Sequence, residues 1–293
     1  MIPSMHPLRL SFLGVSLVAG CLPLGGCATH LGRVGTVDPP RVSTGFTVKK
    51  DLVYTPSGWP EALPGDLYRP SIPTTAPAVL LVHGGGWTGQ DHRYQMNGIA
   101  RQLARRGYVV FNVTYRRGPQ WQYPAPADDL REAVRWMRTH AAENGIDPDR
   151  IAGFGYSAGG HLVSLIGLQK GPGDPKFAAI VAGGNPADLT LADGPGLVSD
   201  FLGGTKDKIP KRYVEASPLH YVAPGDPPVF IYHGAMDKLV PTEHVKRFSA
   251  ALEKARVPHE IYWLNGRGHI AAFLFYGGSH KAAIDFLDRV MRK

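Results

Sequence analysis

The chain has 293 residues, 43% hydrophobic and 19% charged, with a mean hydropathy of −0.14, which excludes intrinsic disorder and a polytopic membrane protein. That length fits one large α/β domain or two small ones, and two cysteines exclude a disulfide scaffold or a structural zinc site. The net charge of +8 favours anionic surfaces, but no run of five Lys or Arg occurs, so nucleic acid is not an expected partner.

At the N-terminus, Arg9 precedes the apolar run Leu10–Ala19, and no acidic residue occurs before Asp38. The run is too short to span a bilayer, for which about 20 residues are needed, and suits a signal-peptide core. It ends in Val18-Ala-Gly-Cys21 and again in Leu24-Gly-Gly-Cys27. Both resemble the lipobox of bacterial lipoproteins, in which the cysteine is lipidated and becomes the mature N-terminus. Leu24 at the first position and Ala28 after the cysteine favour Cys27, with Cys21 as the other candidate. Residues 1–27 are therefore expected to be a lipoprotein-type signal peptide and the protein to be exported and lipid-anchored at a bacterial envelope membrane. A plain secretory signal, giving a periplasmic or secreted protein, is the alternative. The polar, glycine-rich residues 28–45 read as a flexible tether.

Beyond residue 45 strand and helix signals alternate. Apolar, β-branched and aromatic runs at Phe46–Tyr54, Ala78–Val82, Tyr108–Tyr115, Ile151–Phe154, Ala178–Ala182, Val229–Tyr232 and Glu260–Leu264 predict strands. Most are continuous rather than alternating, as in parallel strands buried on both faces. Helical spacing follows at Leu130, Ala133, Val134, Met137 and Ala141, again at Val245, Phe248 and Leu252, and at Ala283, Leu287 and Val290. This pattern predicts one α/β domain over 46–293 with a mostly parallel sheet. Residues 185–225, rich in Gly, Pro and Asp, interrupt the rhythm and read as a cap-like excursion rather than a second domain.

Two motifs carry chemistry. Gly155-Tyr-Ser157-Ala-Gly159 directly follows a predicted strand and precedes a predicted helix. A serine in such a turn adopts a strained backbone that needs small neighbours, and its Oγ points at a helix N-terminus where N–H groups face a developing anion. His83-Gly-Gly-Gly86-Trp87 ends another strand, and its glycines let backbone N–H donors approach a ligand oxygen. His83 is expected to brace that loop rather than take protons. Trp87, Tyr156, Trp121 and Phe201 are read equally as aromatic pocket or as core.

With these motifs the sequence resembles the α/β-hydrolase superfamily, in its hormone-sensitive-lipase-like or feruloyl-esterase-like carboxylesterase branch. The likeness extends through Tyr115-Arg116, Ile146–Ile151, Ala216-Ser-Pro218, His233-Gly-Ala-Met-Asp237 and Val240-Pro241. It implies an α/β-hydrolase fold and a triad in the chain order Ser, acid, His. Asp237, a short loop beyond a strand, is the candidate acid. Asp188, Asp193, Asp200, Asp207 and Asp226 all lie in the excursion or its exit. His269, in Gly266-Arg-Gly-His269 past the last strand, is the candidate base. His244 and His280 fall on helices, His259 precedes a strand, and His233 precedes the acid. Ser157 would then attack an ester carbonyl, with the oxyanion held by the amides of Gly85, Gly86 and Ala158. The reading is a serine esterase acting on a small-molecule ester without metal or organic cofactor. A peptidase or amidase on the same triad and a non-catalytic ligand-binding module are the alternatives.

Overall fold

Short apolar runs flanked by turns form the central strands of a nine-stranded sheet. The computed structural model describes residues 28–35, 38, 41–72, 74–171 and 175–292. Its strands are β1 (Ala28–Leu31), β2 (Phe46–Val53), β3 (Pro64–Pro70), β4 (Ala76–Val82), β5 (Val109–Val113), β6 (Ile146–Tyr156), β7 (Ala179–Gly183), β8 (Val229–Gly234) and β9 (His259–Leu264). The helices are α1 (Asn97–Arg105), α2 (Ala125–Thr139), α3 (Ala141–Asn144), α4 (Ala158–Leu168), α5 (Leu197–Leu202), α6 (Pro210–Glu215), α7 (Glu243–Lys254), α8 (His269–Leu274) and α9 (Ser279–Met291).

The strand order is β1-β9-β8-β7-β6-β4-β5-β3-β2. Strands β4 to β9 run parallel, while β1, β2 and β3 pair antiparallel at the two edges. Alternate side chains of β4 serve both faces: Leu80 and Val82 join one apolar cluster with α2, α4 and α7, and Val79 and Leu81 join another with α1 and α9. Both faces being apolar explains why the sequence shows continuous hydrophobic runs there. The chain leaves β4 for β5 on one side and places β6 on the other. The strand order therefore reverses at β4, and the loops after β4 and β6 part to leave a crevice at the carboxyl ends. The predicted α/β-hydrolase architecture is present.

Three features differ from the sequence expectations. Strand β3 was not expected, because its ends are prolines and it carries Asp66; it lies between β2 and β5, its prolines fall at the strand ends, and Asp66 accepts from the Asp51 amide and pairs with Arg93. The excursion has no core of its own. Leu189, Phe201, Leu202, Tyr213 and Ala216 are buried in the main cluster, so it packs as part of the domain.

The third is the segment 28–45, which is not a tether over its described residues. Ala28–Leu31 extends the sheet beside β9. Further along, the Thr44 amide donates to the Arg105 carbonyl at 2.9 Å. The physical reason is a buried carboxylate. Glu260, fully buried on β9, lies 2.7 Å from His30 Nε2 and accepts from the Val34 amide and Arg289 Nη2, each at 2.7 Å. Arg289 Nε also donates to the Val34 carbonyl at 2.8 Å. A strand at a sheet edge needs backbone pairing and this polar staple, not an apolar face of its own. The signal segment 1–27, with Cys21 and Cys27, lies outside the described residues.

Removing one partner of a buried pair leaves the other charge uncompensated, at a cost of roughly 3–5 kcal/mol. Glu260→Ala is therefore expected to lower the urea midpoint by that equivalent and to open residues 28–35 to limited proteolysis. Unchanged protection of that segment would contradict the staple.

Candidate active site

The elbow at Ser157 forms because α4 begins directly against the ends of β4 and β6. A Cβ on Gly159 would sit 2.2 Å from the Val82 carbonyl oxygen, so only glycine allows the contact. Ser157 is held at φ 55° and ψ −122°, a conformation a residue with a side chain rarely takes. Its amide donates to the Gly183 carbonyl at 2.7 Å, which fixes the turn from the neighbouring strand end.

His269 meets this serine. Its Nε2 lies 2.9 Å from Ser157 Oγ, and its Nδ1 lies 2.6 Å from Asp237 Oδ2. One imidazole thus bridges a hydroxyl and a carboxylate brought from residues 112 and 32 positions away. The sequence placed His269 in a loop; it is instead the first residue of α8, capped by Gly268. The Tyr156 hydroxyl donates to the His269 carbonyl at 2.6 Å, which locks the start of that helix.

Asp237 is held by the loop after β8. Its Oδ1 accepts from the amides of Leu239 (3.0 Å) and Val240 (2.8 Å). Burial by itself would raise its carboxyl, but the bond from His269, the Val240 amide and nearby His233 outweigh that and hold it below the ordinary 3.8. The carboxylate is therefore charged where an imidazolium would form. The competing acids take other partners: Asp226 pairs with Lys170 and accepts from the Ala223 amide, and Asp188 pairs with Arg247. Asp193 pairs with Lys206, Asp207 with Lys208, and Asp200 stands exposed on α5. Among the described residues none of these five carboxylates bonds an imidazole.

The glycine loop lies across the crevice. Gly84 packs against the Ser157 side chain, and Gly85 takes φ 110°, with its missing Cβ position filled by His92. Among the described residues the amides of Gly85, Gly86 and Ala158 donate to no protein acceptor. Trp87 ends the loop at φ 60°, stacked on Phe201 at 4.6 Å, and its Nε1–H donates to His161 Nδ1 at 3.2 Å. His161 Nε2 in turn donates to the Ala216 carbonyl at 2.7 Å, tying the loop, α4 and the excursion together. His83 braces the loop as expected: it is fully buried, bonds the Gly84 carbonyl at 2.7 Å and stacks on Tyr115.

The cleft around Ser157 has a volume of about 610 Å³ and a mainly apolar wall, from Trp87, Tyr156, Leu191, Leu197, Val240 and Phe273. Of the four aromatics left open by the sequence, Trp87 and Tyr156 reach it. Phe201 is buried behind Trp87, and Trp121 stacks under the Arg116 guanidinium. His92, Gln95, Lys238 and Ile270 also line it, and nothing in their spacing announces them. Buried His233 lies behind Asp237, 3.4 Å from its Oδ2, and donates to the Val240 carbonyl. His244 reaches the cleft wall, accepting the Asp188 amide at 3.3 Å, while His259 meets Ser249 and His280 stacks on Tyr276.

Residues 66–252 match the BD-FAE family model. The chain belongs to the BD-FAE family. The matched span holds Ser157 and Asp237, and His269 lies 17 residues beyond it. Among curated relatives, the probable carboxylic ester hydrolase LipM of Mycobacterium tuberculosis is 31% identical over 206 residues, 64% of this chain and 47% of that one. The chain spans about half the length of the curated relatives it matches. Among solved structures, esterase 2 of Thermogutta terrifontis with butyrate bound is 27% identical, with a TM-score of 0.69 over 83% of this chain and 93% of that one. A truncated carbohydrate esterase from gut microbiota shares the fold at 22% identity, with a TM-score of 0.78 over 88% of this chain and 100% of that one.

Burial gives this BD-FAE domain a marked acid sensitivity. It depresses His83, His161 and His244 to about 4, and His280 to about 3. In the unfolded chain these groups take a proton near pH 6.5, while the folded ones stay neutral to lower pH. Their contribution is therefore complete above pH 6.5 and is lost as pH falls from 6.5 toward 4, on the order of 2 kcal/mol per site by pH 4.5. The urea midpoint is expected to drop sharply between pH 7.5 and 4.5, and a flat profile over that range would contradict this account.

Proposed function

We propose that this protein is a serine esterase that hydrolyses carboxylic esters through an acyl-enzyme intermediate. The observation that carries the reading is His269, one imidazole bonded on one side to Ser157 Oγ and on the other to the Asp237 carboxylate. A serine hydroxyl is a weak nucleophile near neutral pH and needs such a base at hydrogen-bond distance.

Ser157 Oγ attacks the ester carbonyl as His269 Nε2 takes its proton. Asp237 keeps the Nδ1–H tautomer and stabilises the imidazolium, without itself becoming protonated. The carbonyl oxygen, now an anion, accepts from the amides of Gly85, Gly86 and Ala158, where one donor is worth about 2.7–4 kcal/mol of barrier. Collapse breaks the ester C–O bond, and the leaving alcohol takes the proton from His269. Water then attacks the acyl-enzyme with His269 again as base, releasing the acid and restoring Ser157. The butyrate-bound esterase among the structural relatives supports a carboxylic ester as substrate, and the ester hydrolase names of the curated relatives support the reaction class.

The same reading places the enzyme at a bacterial envelope membrane, exported by its signal segment and lipidated on Cys27, with Cys21 as the other candidate. The apolar run after Arg9 and the two lipobox-like cysteines support it. Cys27→Ala is expected to move the protein from the membrane fraction to the soluble fraction; if Cys21→Ala alone does so, the lipid belongs on Cys21.

Ser157→Ala should leave a folded protein whose ester turnover falls on the order of 10⁶-fold, with loss of labelling by a fluorophosphonate probe. Asp237→Asn should cost roughly 10⁴-fold, because the amide favours the wrong imidazole tautomer. Asp226→Asn, whose partner is Lys170, should cost far less. Near-native turnover in Ser157→Ala would remove the nucleophile from the scheme.

A further inference from the structure

Large apolar side chains exposed to water are unevenly distributed over the domain. Met236, Leu239, Ile270, Leu274 and Phe275 are each between 58% and 66% exposed, and Leu197 is 44% exposed. The first two flank the triad acid Asp237, and the next three belong to or follow the helix begun by the triad base His269. Leu197 stands across the cleft against Gly86. The rim of the catalytic cleft is thus an apolar collar. Its cations are Lys238, exposed within the collar, and Arg267, whose guanidinium bonds the Phe275 carbonyl. The nearby Asp193 carboxylate is already paired with Lys206.

The position of Ala28 supplies the second observation. Strand β1 runs antiparallel to β9 and pairs Ala28 with Leu264, so its N-terminal end lies at the carboxyl, catalytic end of the sheet. Leu264 accepts from the Ala235 amide on its other side, and the Met236 amide donates to the Arg267 carbonyl. Two strand spacings of about 4.8 Å separate Ala28 from this turn, so the first described residue lies about 10 Å from the loop that carries Met236. Because β1 begins at residue 28, no free tether follows Cys27.

We propose that the cleft rim is a bilayer-docking surface: with its lipid on Cys27, the protein rests Met236, Leu239, Ile270, Leu274 and Phe275 on an anionic membrane surface, and the cleft opens toward esters carried in that membrane. This rests on the lipid-anchor reading above. The apolar collar enters the headgroup boundary, and Lys238, Arg267 and the net charge of +8 meet anionic lipid. A lipid without a spacer holds the catalytic end down, because the attachment point and the collar share one edge of the sheet. Substrate then reaches Ser157 from the membrane side without crossing bulk water.

The test uses the full chain in membranes, with Cys21→Ala so that Cys27 is the only cysteine that can take the lipid and an introduced thiol is then the only one free. A polarity-sensitive fluorophore is placed on Phe275→Cys or, as control, on Glu143→Cys in α3 at the opposite end of the sheet. In vesicles of phosphatidylethanolamine and phosphatidylglycerol, the probe at 275 is expected to shift to the blue and be quenched by lipid-borne nitroxide, and the probe at 143 to do neither. Leu274→Glu with Phe275→Glu should lower hydrolysis of a vesicle-borne long-chain ester about tenfold, equal to ~1.4 kcal/mol of docking, and leave p-nitrophenyl acetate in solution unchanged. A protein that pellets with membranes while both probes behave alike would overturn the docking and leave the anchor standing. A protein found in the soluble fraction would overturn the anchor and the docking with it. A blue shift at 275 that grows with protein concentration in the absence of vesicles would assign the collar to a second copy and overturn the proposal.

Discussion

Helix α4 starts so close to the end of β4 that no side chain fits between them, and the active site is built on that contact. With hydrogen at Gly159, the chain can turn from strand to helix within the single residue Ser157. The cost is a positive φ at a residue with a side chain, of order 1–3 kcal/mol, sustained because every neighbour of the turn is buried. Three consequences follow together. Ser157 Oγ is lifted toward His269, the Ala158 amide opens into the crevice as the first of the helix, and Gly84 lies flat against the serine side chain. A wider helix–strand gap would lose all three at once.

The surroundings keep this arrangement with histidines that never need to ionise. His161 accepts from Trp87 through Nδ1 and donates to Ala216 through Nε2, which requires the neutral ring with its proton on Nε2. Burial depresses its affinity for a second proton, so the required form is the one present at neutral pH. His83 works in the same way between the glycine loop and Thr114. Trp87, strained at its own φ, is clamped between His161 and Phe201, which carries the position of the glycine loop into the excursion. The residue bonded to Ser157 and those that hold the loop are thus the same side-chain type with different hydrogen-bond partners. Among the described residues, only His269 has a carboxylate at Nδ1 and a serine hydroxyl at Nε2.

The N-terminal strand adds a constraint at the level of the whole domain. Glu260 gathers His30, Val34 and Arg289, so the first described residues cannot swing away from the sheet. Ala28 is therefore held at a fixed edge of the sheet. A polar composition concealed this, because edge strands are held by backbone pairing and one buried ion pair rather than by apolar side chains.

The sequence alone determined the fold class and singled out Ser157 and the glycine loop His83–Gly86 as candidates. Continuous apolar runs are a one-dimensional record of burial on both sheet faces, and the glycine spacing around Ser157 records a contact too tight for a Cβ. Asp237 and His269 were legible as candidates, because strand ends in a parallel sheet converge on one rim. Their pairing, and the exclusion of Asp226 and Asp188, was decided by the tertiary structure, since hydrogen bonds across 32 and 112 positions leave no local pattern. The same is true of β1, of the cleft wall from Leu197 to Phe273, and of the Trp87–His161 brace. Each is made of residues ordinary in their own segments, and each takes its role from packing against a segment distant in the chain.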